Sequence, residues 1–595
     1  DIENRRYHAQ PDACPVCGPI AFFADAEGNT LSKGEEAFVQ ARALLREGKI
    51  LAVKGLGGMH LACRCDDPAI VHELRRRKQR DEKPFAIMCR TVSAAKTYCE
   101  VTPEEEAVLN GKRRPIVLLR KKPSREAELR HLSENRDLGV MLPYTPLHYL
   151  LFGEEFDALV MTSANLSDTP ILYRNEEAIE KLHGIADGFL LHDREIQTRC
   201  DDSLCMVLGE GEYFLRRSRG YVPHPVRISD QETLPSVLAC GAEQKASFCL
   251  TKGGYAFPCQ HIGDLKNFET LEHYQDQIQH FKRLFDIEPQ AVACDLHPDY
   301  LSGEYAREIS AEKHLPLFPV QHHHAHLASC MADNRLDGTV IGLIWDGTGF
   351  GTDGTIWGGE CLTGGYGGFQ RFGSLRPIPL IGGDRAIREL DRIAYALLKE
   401  AGQHTDQIEN AGSYRAMLAS GLNCPQSSGM GRLFDGVASI LKIKKYAGYE
   451  GQGAVLLEAA AGEKETAVLP FDLAEQAGLL VFDWRKTIAS LAEEKGKGTD
   501  VGVLTARFMN TLIEMAVLQC EAVREVTGLS RVVLSGGSFQ NRYVMQRLPQ
   551  RLQDQRFDVY RHKRVSCNDE GLSLGQAAIT LYQIGKGNYV SGSST

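Results

Sequence analysis

The sequence of 595 residues contains no uninterrupted apolar run of about 18 residues, the length a helix needs to cross a bilayer, so no transmembrane helix is expected. Its first residues, Asp1-Ile2-Glu3-Asn4-Arg5-Arg6, hold no apolar signal core, and the expected location is cytoplasmic. Short-period repeats and long low-complexity tracts are absent too, which sets aside solenoids and disordered linkers. A surplus of positive charge is missing. The net charge is −10, which weighs against tRNA or DNA as the main partner while leaving room for local basic patches. The 17 cysteines are mostly scattered singly through apolar segments, as at Cys240, Cys249 and Cys330, and read as reduced thiols in a reducing compartment. One close pair exists, Cys14-Pro15-Val16-Cys17. With no second close pair nearby it is half of a tetrahedral zinc site, structural only if the missing ligands are supplied.

What is present is ordinary for a globular chain: 43% hydrophobic and 25% charged residues, with a length that calls for two or three domains. Residues 1–33 are short, polar and unlike the rest. From Gly34 a helical spacing begins (Ala37, Ala41, Leu44, Leu45), followed by a buried-strand pattern at Ile50-Leu51-Ala52-Val53. Helices and short apolar runs alternate to about residue 222. A proline-punctuated stop, Tyr221-Val222-Pro223-His224-Pro225, suggests a boundary near 227–234. The expected division is 1–33, 34–230 and 234–595. In the last part strands are expected at Ser247–Leu250, Ala291–Cys294, Val340–Trp345 and Val532–Leu534, and the last three run into polar or glycine-rich loops, where α/β folds place ligands.

Two constellations carry chemistry. The first is a run of cations from Arg75 to Lys83 that ends in Lys83-Pro84-Phe85-Ala86-Ile87-Met88, read as a strand entering the core. Cations at such a junction can converge on phosphates. Downstream stand Thr162-Ser163-Ala164-Asn165, Arg199-Cys200-Asp201-Asp202 and Arg216-Arg217-Ser218-Arg219. The second is Gln321-His322-His323-His324-Ala325-His326, expected to open a helix that puts His322 and His326 on one face, where both imidazoles reach one metal. Asp346 and Asp569, each beside a strand end or helix start, can complete a histidine/carboxylate set that suits zinc, iron or manganese. Glycine loops at Asp346-Gly347-Thr348-Gly349, Gly448–Gly453 and Ser535-Gly536-Gly537 can cradle phosphates with backbone N–H groups, as in an actin-like nucleotide fold.

In this order, the pieces of the first constellation resemble the YrdC family, which binds ATP and makes acyl-adenylates. That resemblance implies phosphate or substrate contacts at Lys54, Lys78, Arg80, Lys83, Arg199 and Arg217, and nucleotide contacts at Ser163, Asn165, Asp202 and Ser218. The whole chain resembles HypF, on Cys240-Gly241-Ala242-Glu243, His261-Ile262-Gly263-Asp264, the histidine run, Trp345-Asp346-Gly347-Thr348-Gly349, Gly382–Arg388, Met430–Asp435 and Asn568–Leu572. This implies an α/β protein: a YrdC-like domain followed by a two-lobed actin-like (ASKHA-type) domain, without the family's N-terminal acylphosphatase-like domain and most of its zinc fingers. Arg388-Glu389-Leu390-Asp391-Arg392 departs from the family's Glu-Pro-Trp-Arg pattern. The implied activity is ATP-dependent carbamoyl transfer in NiFe hydrogenase maturation, in the synthesis of the iron's cyanide ligands. Carbamoyl phosphate and ATP would give carbamoyl-adenylate, and the C-terminal cysteine of HypE would accept the carbamoyl group. The implied metal ligands are His322, His326, Asp346 and Asp569 around one zinc or iron acting as a Lewis acid. The implied nucleotide contacts of the second domain are Gly347, Thr348, Gly349, Asp435, Glu450, Gly536, Gly537 and Asn541. A homodimer is allowed; membrane is not implied. The alternative reading is a tRNA threonylcarbamoyladenosine-modification enzyme, whose two parts resemble these domains.

Overall fold

The computed structural model describes residues 18–80, 82–165, 169–209 and 211–586. Chain contacts divide these into two compact units. The first holds the described residues up to Ser133 together with Asp137–Asp202; the second holds Glu134–Arg136 and the described residues from Ser203 onward. The division thus falls ahead of the 227–234 segment that the proline-rich stop suggests, and it carries Arg217 and Ser218 into the second unit.

The first unit is built on a mixed sheet whose middle strands lie in the order Ile87–Cys89, Ala158–Ser163, Met59–Arg64, Leu51–Lys54, Gly188–His192. Their side chains are buried on both faces, as continuous apolar runs require. The helix Glu35–Arg46 lays Ala37, Phe38, Ala41 and Leu45 on this sheet against Leu51, Val53, Met161 and Leu190. The helix Pro68–Lys78 starts on an Asp67 cap with Pro68 in its first turn, and ends at Gln79 in the left-handed region. Four cations, Arg75 to Lys78, occupy its last turn, where the negative end of the helix dipole favours them. The sequence run is therefore a helix C-terminus. The strand after it is shorter than its apolar pattern, only Ile87–Cys89. Pro84 has no N–H to give to a ladder, and Phe85 instead receives the guanidinium of Arg75 over its ring at 4.4 Å.

The second unit has two sheets. One runs Val226–Arg227, Tyr255–Pro258, Cys249–Lys252, Val237–Ala239, Ala291–Asp295, Leu317–Val320; the other runs Asp472–Gln476, Leu479–Asp483, Gly368–Leu375, Gly359–Gly365, Val340–Trp345, Arg531–Ser535, Asp558–Arg561. Two helices pack against each other and each serves one sheet. The histidine helix, His322–Asn334, packs Leu327, Cys330 and Met331 on Val340, Ile344, Leu362 and Val533. The last helix, Leu572–Gly585, packs Leu574, Ala577 and Leu581 on Val237, Ala239 and Ala293. Between them Ala325 and Ala328 meet Leu572 and Ile579. The crossing is so close that a side chain at Gly575 would overlap the Ala325 carbonyl. Burial on most sides fits the largely apolar sequence of Leu572–Gly585, whereas the histidine helix buries polar side chains as well. The 27-residue helix Val501–Thr527 is long and apolar enough to cross a membrane, yet Leu504, Phe508, Met509, Leu512 and Met515 are buried in the second unit, as in a core helix.

Candidate active sites

In the second unit, topology brings the four expected metal ligands together. Strand Ala291–Asp295 pairs in parallel with Leu317–Val320, with Asp295 opposite Val320. The carboxylate of Asp295 therefore lies beside the residue that opens the histidine helix. Strand Val340–Trp345 pairs in parallel with Arg531–Ser535, so the loops after Trp345 and after Ser535 leave the sheet side by side. Asp346 heads the first loop, and Asp569 sits in the turn before the last helix. The N-termini of the two buried helices thus meet two carboxylates, which their dipoles favour.

One donor atom from each of His322, His326, Asp346 and Asp569 lies within 4.8 Å of all the others. His326 Nε2 is 3.3 Å from Asp346 Oδ2 and 3.4 Å from Asp569 Oδ1; His322 Nε2 is 3.6 and 3.7 Å from the same two oxygens. These separations are too long for good hydrogen bonds. His322 Nε2, His326 Nε2 and Asp346 Oδ2 are buried without a hydrogen-bond partner. Burial pulls both histidines down, but the surrounding carboxylates outweigh it and hold them above the usual histidine range. Asp346 and Asp569 are held below the usual carboxylate range although burial pushes them up, chiefly because the two histidines face them. The four residues thus stabilise positive charge at their centre, and orphaned lone pairs converging there fit a divalent cation.

The ring orientations are fixed from behind. His322 gives Nδ1–H to the Asp295 carboxylate at 2.8 Å, which leaves Nε2 facing the cluster. His326 Nδ1 lies 3.3 Å from Ser535 Oγ, and Ser535 Oγ lies 2.9 Å from His562 Nε2. His323 and His324 face elsewhere: His323 Nδ1 meets the Gln321 amide at 3.1 Å and His324 Nε2 meets the Gly365 carbonyl at 2.7 Å. Gly349 lies against the rings of His322 and His323 so closely that any Cβ there would overlap His323, so the glycine lets the loop close over the cluster.

The other expected contacts of this unit divide. Gly347, Thr348 and Gly349 follow Asp346 directly, and Gly536 and Gly537 stand against Trp345 and Asp346. Asp435 is buried 3.3 Å from Arg432. Glu450 receives Lys245 Nζ at 3.2 Å and the Gln244 amide at 3.0 Å. Asn541 is the cap of helix Arg542–Asp554, accepting from Val544 N at 3.0 Å, so its side-chain oxygen is used by the fold.

In the first unit, strand register puts Ser163 opposite His60, and His60 holds Asp202 at 2.8 Å. Lys78, buried at the helix end, donates to the Ser163 carbonyl and to Asn165 Oδ1 (2.8 Å). Ser163 Oγ also donates to Asn165 Oδ1 at 2.9 Å, and Asn165 Nδ2 donates to the Thr169 carbonyl at 2.8 Å. Arg80 reaches Thr162 Oγ1 at 3.2 Å. Burial first, then the charges of Arg80 and Lys83, pull Lys78 well below the ordinary lysine range, with Asp201 opposing. Lys78, Arg80, Lys83, Ser163, Asn165 and Asp202 therefore form one cationic site. Arg75, which the sequence reading passes over, shapes it by donating to the carbonyls of Arg80 (3.2 Å) and Lys83 (2.9 Å). Arg199 lies over the Tyr173 ring at 4.8 Å, next to Cys200, whose N–H bonds to Gly57 at 2.9 Å. Lys54 points to the carbonyls of His192 (3.1 Å) and Arg194 (2.8 Å).

Arg217 and Ser218 fall in the second unit. Arg217 is buried in the second unit and its guanidinium donates to the carbonyls of Pro258, Tyr221 and His224. Its backbone N–H bonds to Glu570 Oε1 at 2.6 Å, beside Asp569, and Ser218 N–H bonds to Ser203 Oγ at 2.7 Å. Backbone carbonyls thus take part of the donor capacity of this guanidinium. Cys14 and Cys17 lie outside the described residues. Among the further residues at these sites, Asp295 carries a signal in the sequence, a carboxylate at the end of an apolar strand, whereas Ser535 at a strand end, Arg432 in a first helical turn, His562 and Lys245 carry none.

Comparison with known proteins matches both parts of the chain. Family models match in chain order: the HypF finger at residues 1–23, the Sua5/YciO/YrdC family, described as telomere recombination, at 43–218, the HypF Kae1-like domain at 232–333, and the second subdomain of the carbamoyltransferase Kae1-like domain at 342–576. Carbamoyltransferase HypF2 of Cupriavidus necator is 40% identical over 588 residues, covering 91% of this chain and 72% of its own. Carbamoyltransferase HypF of Rhodobacter capsulatus is 40% identical over 595 residues, covering 98% of this chain and 78% of its own. A crystal structure of full-length HypF in the phosphate- and nucleotide-bound form superposes with a TM-score of 0.92 at 40% identity, over 98% of this chain and 77% of that one. HypF of T. kodakarensis superposes with a TM-score of 0.89 at 34% identity, over 98% of this chain and 79% of that one. A YrdC-like domain followed by a two-lobed Kae1-like domain, matched over nearly the whole chain at this identity, has one reading: the chain belongs to the HypF carbamoyltransferase family.

Proposed function

We propose that the first unit makes carbamoyl-adenylate from carbamoyl phosphate and ATP, and that the second unit transfers the carbamoyl group to the C-terminal cysteine of HypE during NiFe hydrogenase maturation. The observation that carries the adenylate step is the desolvated Lys78, set among Arg80 and Lys83 on the Ser163–Asn165 loop. Such a lysine is stabilised in its charged form when an anion arrives, so the site favours a polyanion. Water hydrolyses carbamoyl phosphate to carbamate and inorganic phosphate, a carbamate oxygen then attacks the α-phosphorus of ATP, and pyrophosphate leaves with the electron pair of the broken P–O bond. The three cations offset the charge gathering on the phosphates, and the loop positions the nucleotide.

In the second unit the HypE thiolate attacks the carbamoyl carbon. The C–S bond forms, the C–O bond to AMP breaks, and AMP leaves as the phosphate monoester. His322, His326, Asp346 and Asp569 would hold one zinc or iron, which when bound supplies Lewis-acid polarisation of an oxygen ligand. The protein's own part is to orient those four residues through Asp295 and Ser535, and to bury them. The relative bound to phosphate and nucleotide supports a nucleotide in this family. Cys14 and Cys17, within the segment matched by the HypF finger, would supply half of a zinc site.

ATP–pyrophosphate exchange with and without carbamoyl phosphate, on this chain and on Lys83→Ala, tests the reading. The expected result is exchange that requires carbamoyl phosphate and is lost in the variant. Exchange that instead requires threonine and bicarbonate would move the chain to tRNA modification.

A further inference from the structure

Arg432 faces Asp435 and is not one of the four residues of the metal cluster. It is the third residue of helix Met430–Ile440 and is 4% exposed. Its Nη2 lies 3.3 Å from Asp435 Oδ2, while Nε and Nη1 are buried with no hydrogen-bond partner. A buried guanidinium with unmet donors is unfavourable unless something else satisfies them. Asp435 is a reluctant counter-charge. Burial, opposed by Arg432 and reinforced by Glu450, raises its carboxyl to about 6.

The direction of the guanidinium is informative. A Cβ placed on Gly347 would sit 3.0 Å from Nη2, so the fork lies against the loop that begins at the metal ligand Asp346. The first-turn amides of this helix are already used: Met430 N–H bonds to Gly358, Gly431 N–H to Asp346 and Arg432 N–H to Gly429. The arginine side chain, not the helix amides, supplies the open donors here. The positive end of the helix dipole adds to its field.

We propose that Arg432 is the anion receptor of the second unit, donating to the phosphoryl oxygens of the bound adenylate beside the metal site. The assignment rests on the two-step reading above. In that step the bridging C–O bond breaks and its electron pair stays on the AMP phosphate, which gains a negative charge. A guanidinium stabilises that charge as it develops, so Arg432 would hold the substrate and ease departure of its leaving group.

The test compares AMP with adenosine, which lacks the phosphate, by calorimetry on the full chain. Tryptophan fluorescence assigns the binding, since Trp345, Trp357 and Trp484 all lie in the second unit. The expected result is that AMP binds the second unit about 10-fold or more tightly than adenosine, as charge-assisted hydrogen bonds imply. In Arg432→Met that preference disappears while adenosine affinity holds. A preference that survives in the variant overturns the assignment, as does its absence from the wild type. Equal loss of both ligands makes Arg432 structural and overturns it too. Arg432→Lys, which keeps charge without the fork, gives the same comparison should the methionine variant not fold; its expected preference is intermediate. Inorganic phosphate as a competitor separates a free-phosphate pocket from a monoester pocket: phosphate that displaces AMP only weakly supports the monoester, and phosphate that binds as tightly as AMP overturns it. Pyrophosphate exchange on the same samples keeps the two readings apart. Lost exchange with the phosphate preference intact sinks the adenylate step alone, and intact exchange without the preference sinks Arg432 alone.

Discussion

The second site depends on residues that touch no ligand. Asp295 is fully buried at a strand end and accepts from His322 Nδ1 at 2.8 Å, which fixes both the ring and the tautomer that presents Nε2 to the cluster. Replacement by asparagine keeps the size and removes the charge. The expected cost to metal affinity is about 10–100-fold, the usual consequence of losing a carboxylate behind a ligating histidine. Competition against a chromophoric chelator measures it, and unchanged affinity would show that the four-residue cluster does not hold the ion. The residue scale is also where the sequence was least informative. His322, His326, Asp346 and Asp569 were readable because an i,i+4 pair and strand-end carboxylates announce themselves. Asp295, Ser535 and His562 enter only through the register of parallel strands, which no local pattern encodes. Arg217 adds a feature that no motif encodes: three backbone carbonyls accept from its guanidinium.

At the scale of elements, the decisive contact is the crossing of the histidine helix with Leu572–Gly585, since these two helices carry the ligands of one site and the cores of two sheets. Gly575 permits the crossing. An alanine there would press its methyl into the Ala325 backbone carbonyl, and no rotamer can relieve that. Gly575→Ala should destabilise the second unit by about 1–3 kcal/mol, the range for overpacking a tight interior, and loosen metal retention with it. Urea unfolding followed by tryptophan fluorescence reads the first effect; a shift of less than about 0.5 kcal/mol, the scatter of ordinary surface substitutions, would mean the helices simply move apart. Most elements here were legible. Val340–Trp345 is the strand its six-residue apolar run implies, and the helix after Gln321 starts where its side chain caps His324 N. Failures fell where side chains redirected the backbone. Ser247 begins no strand because its hydroxyl bonds the Glu570 carbonyl, and the strand starts at Cys249. Chain contacts set the partition at Ser203, whose buried hydroxyl bonds the Arg219 carbonyl at 2.9 Å within the second unit.

For the whole molecule, two sites of different character imply two separable steps. The first unit offers cations without a metal-type donor cluster among its described residues, which suits charge neutralisation on phosphates. The second offers histidines, carboxylates and an open guanidinium, which suits a substrate already activated. Lys78→Met should cut ATP–pyrophosphate exchange by roughly 10²–10³-fold, the usual effect of deleting one donor aimed at developing charge. It should reduce transfer to the HypE cysteine by about the same factor. Asp569→Asn should leave exchange near the wild-type rate and abolish transfer. Mixing the two variants then asks whether the intermediate leaves the chain that made it. Carbamoyl-adenylate is an activated acyl phosphate that water destroys, so little transfer should be recovered from the mixture. Full recovery would mean that the adenylate exchanges freely through solvent, and loss of both activities in Asp569→Asn would mean that the two units do not divide the chemistry.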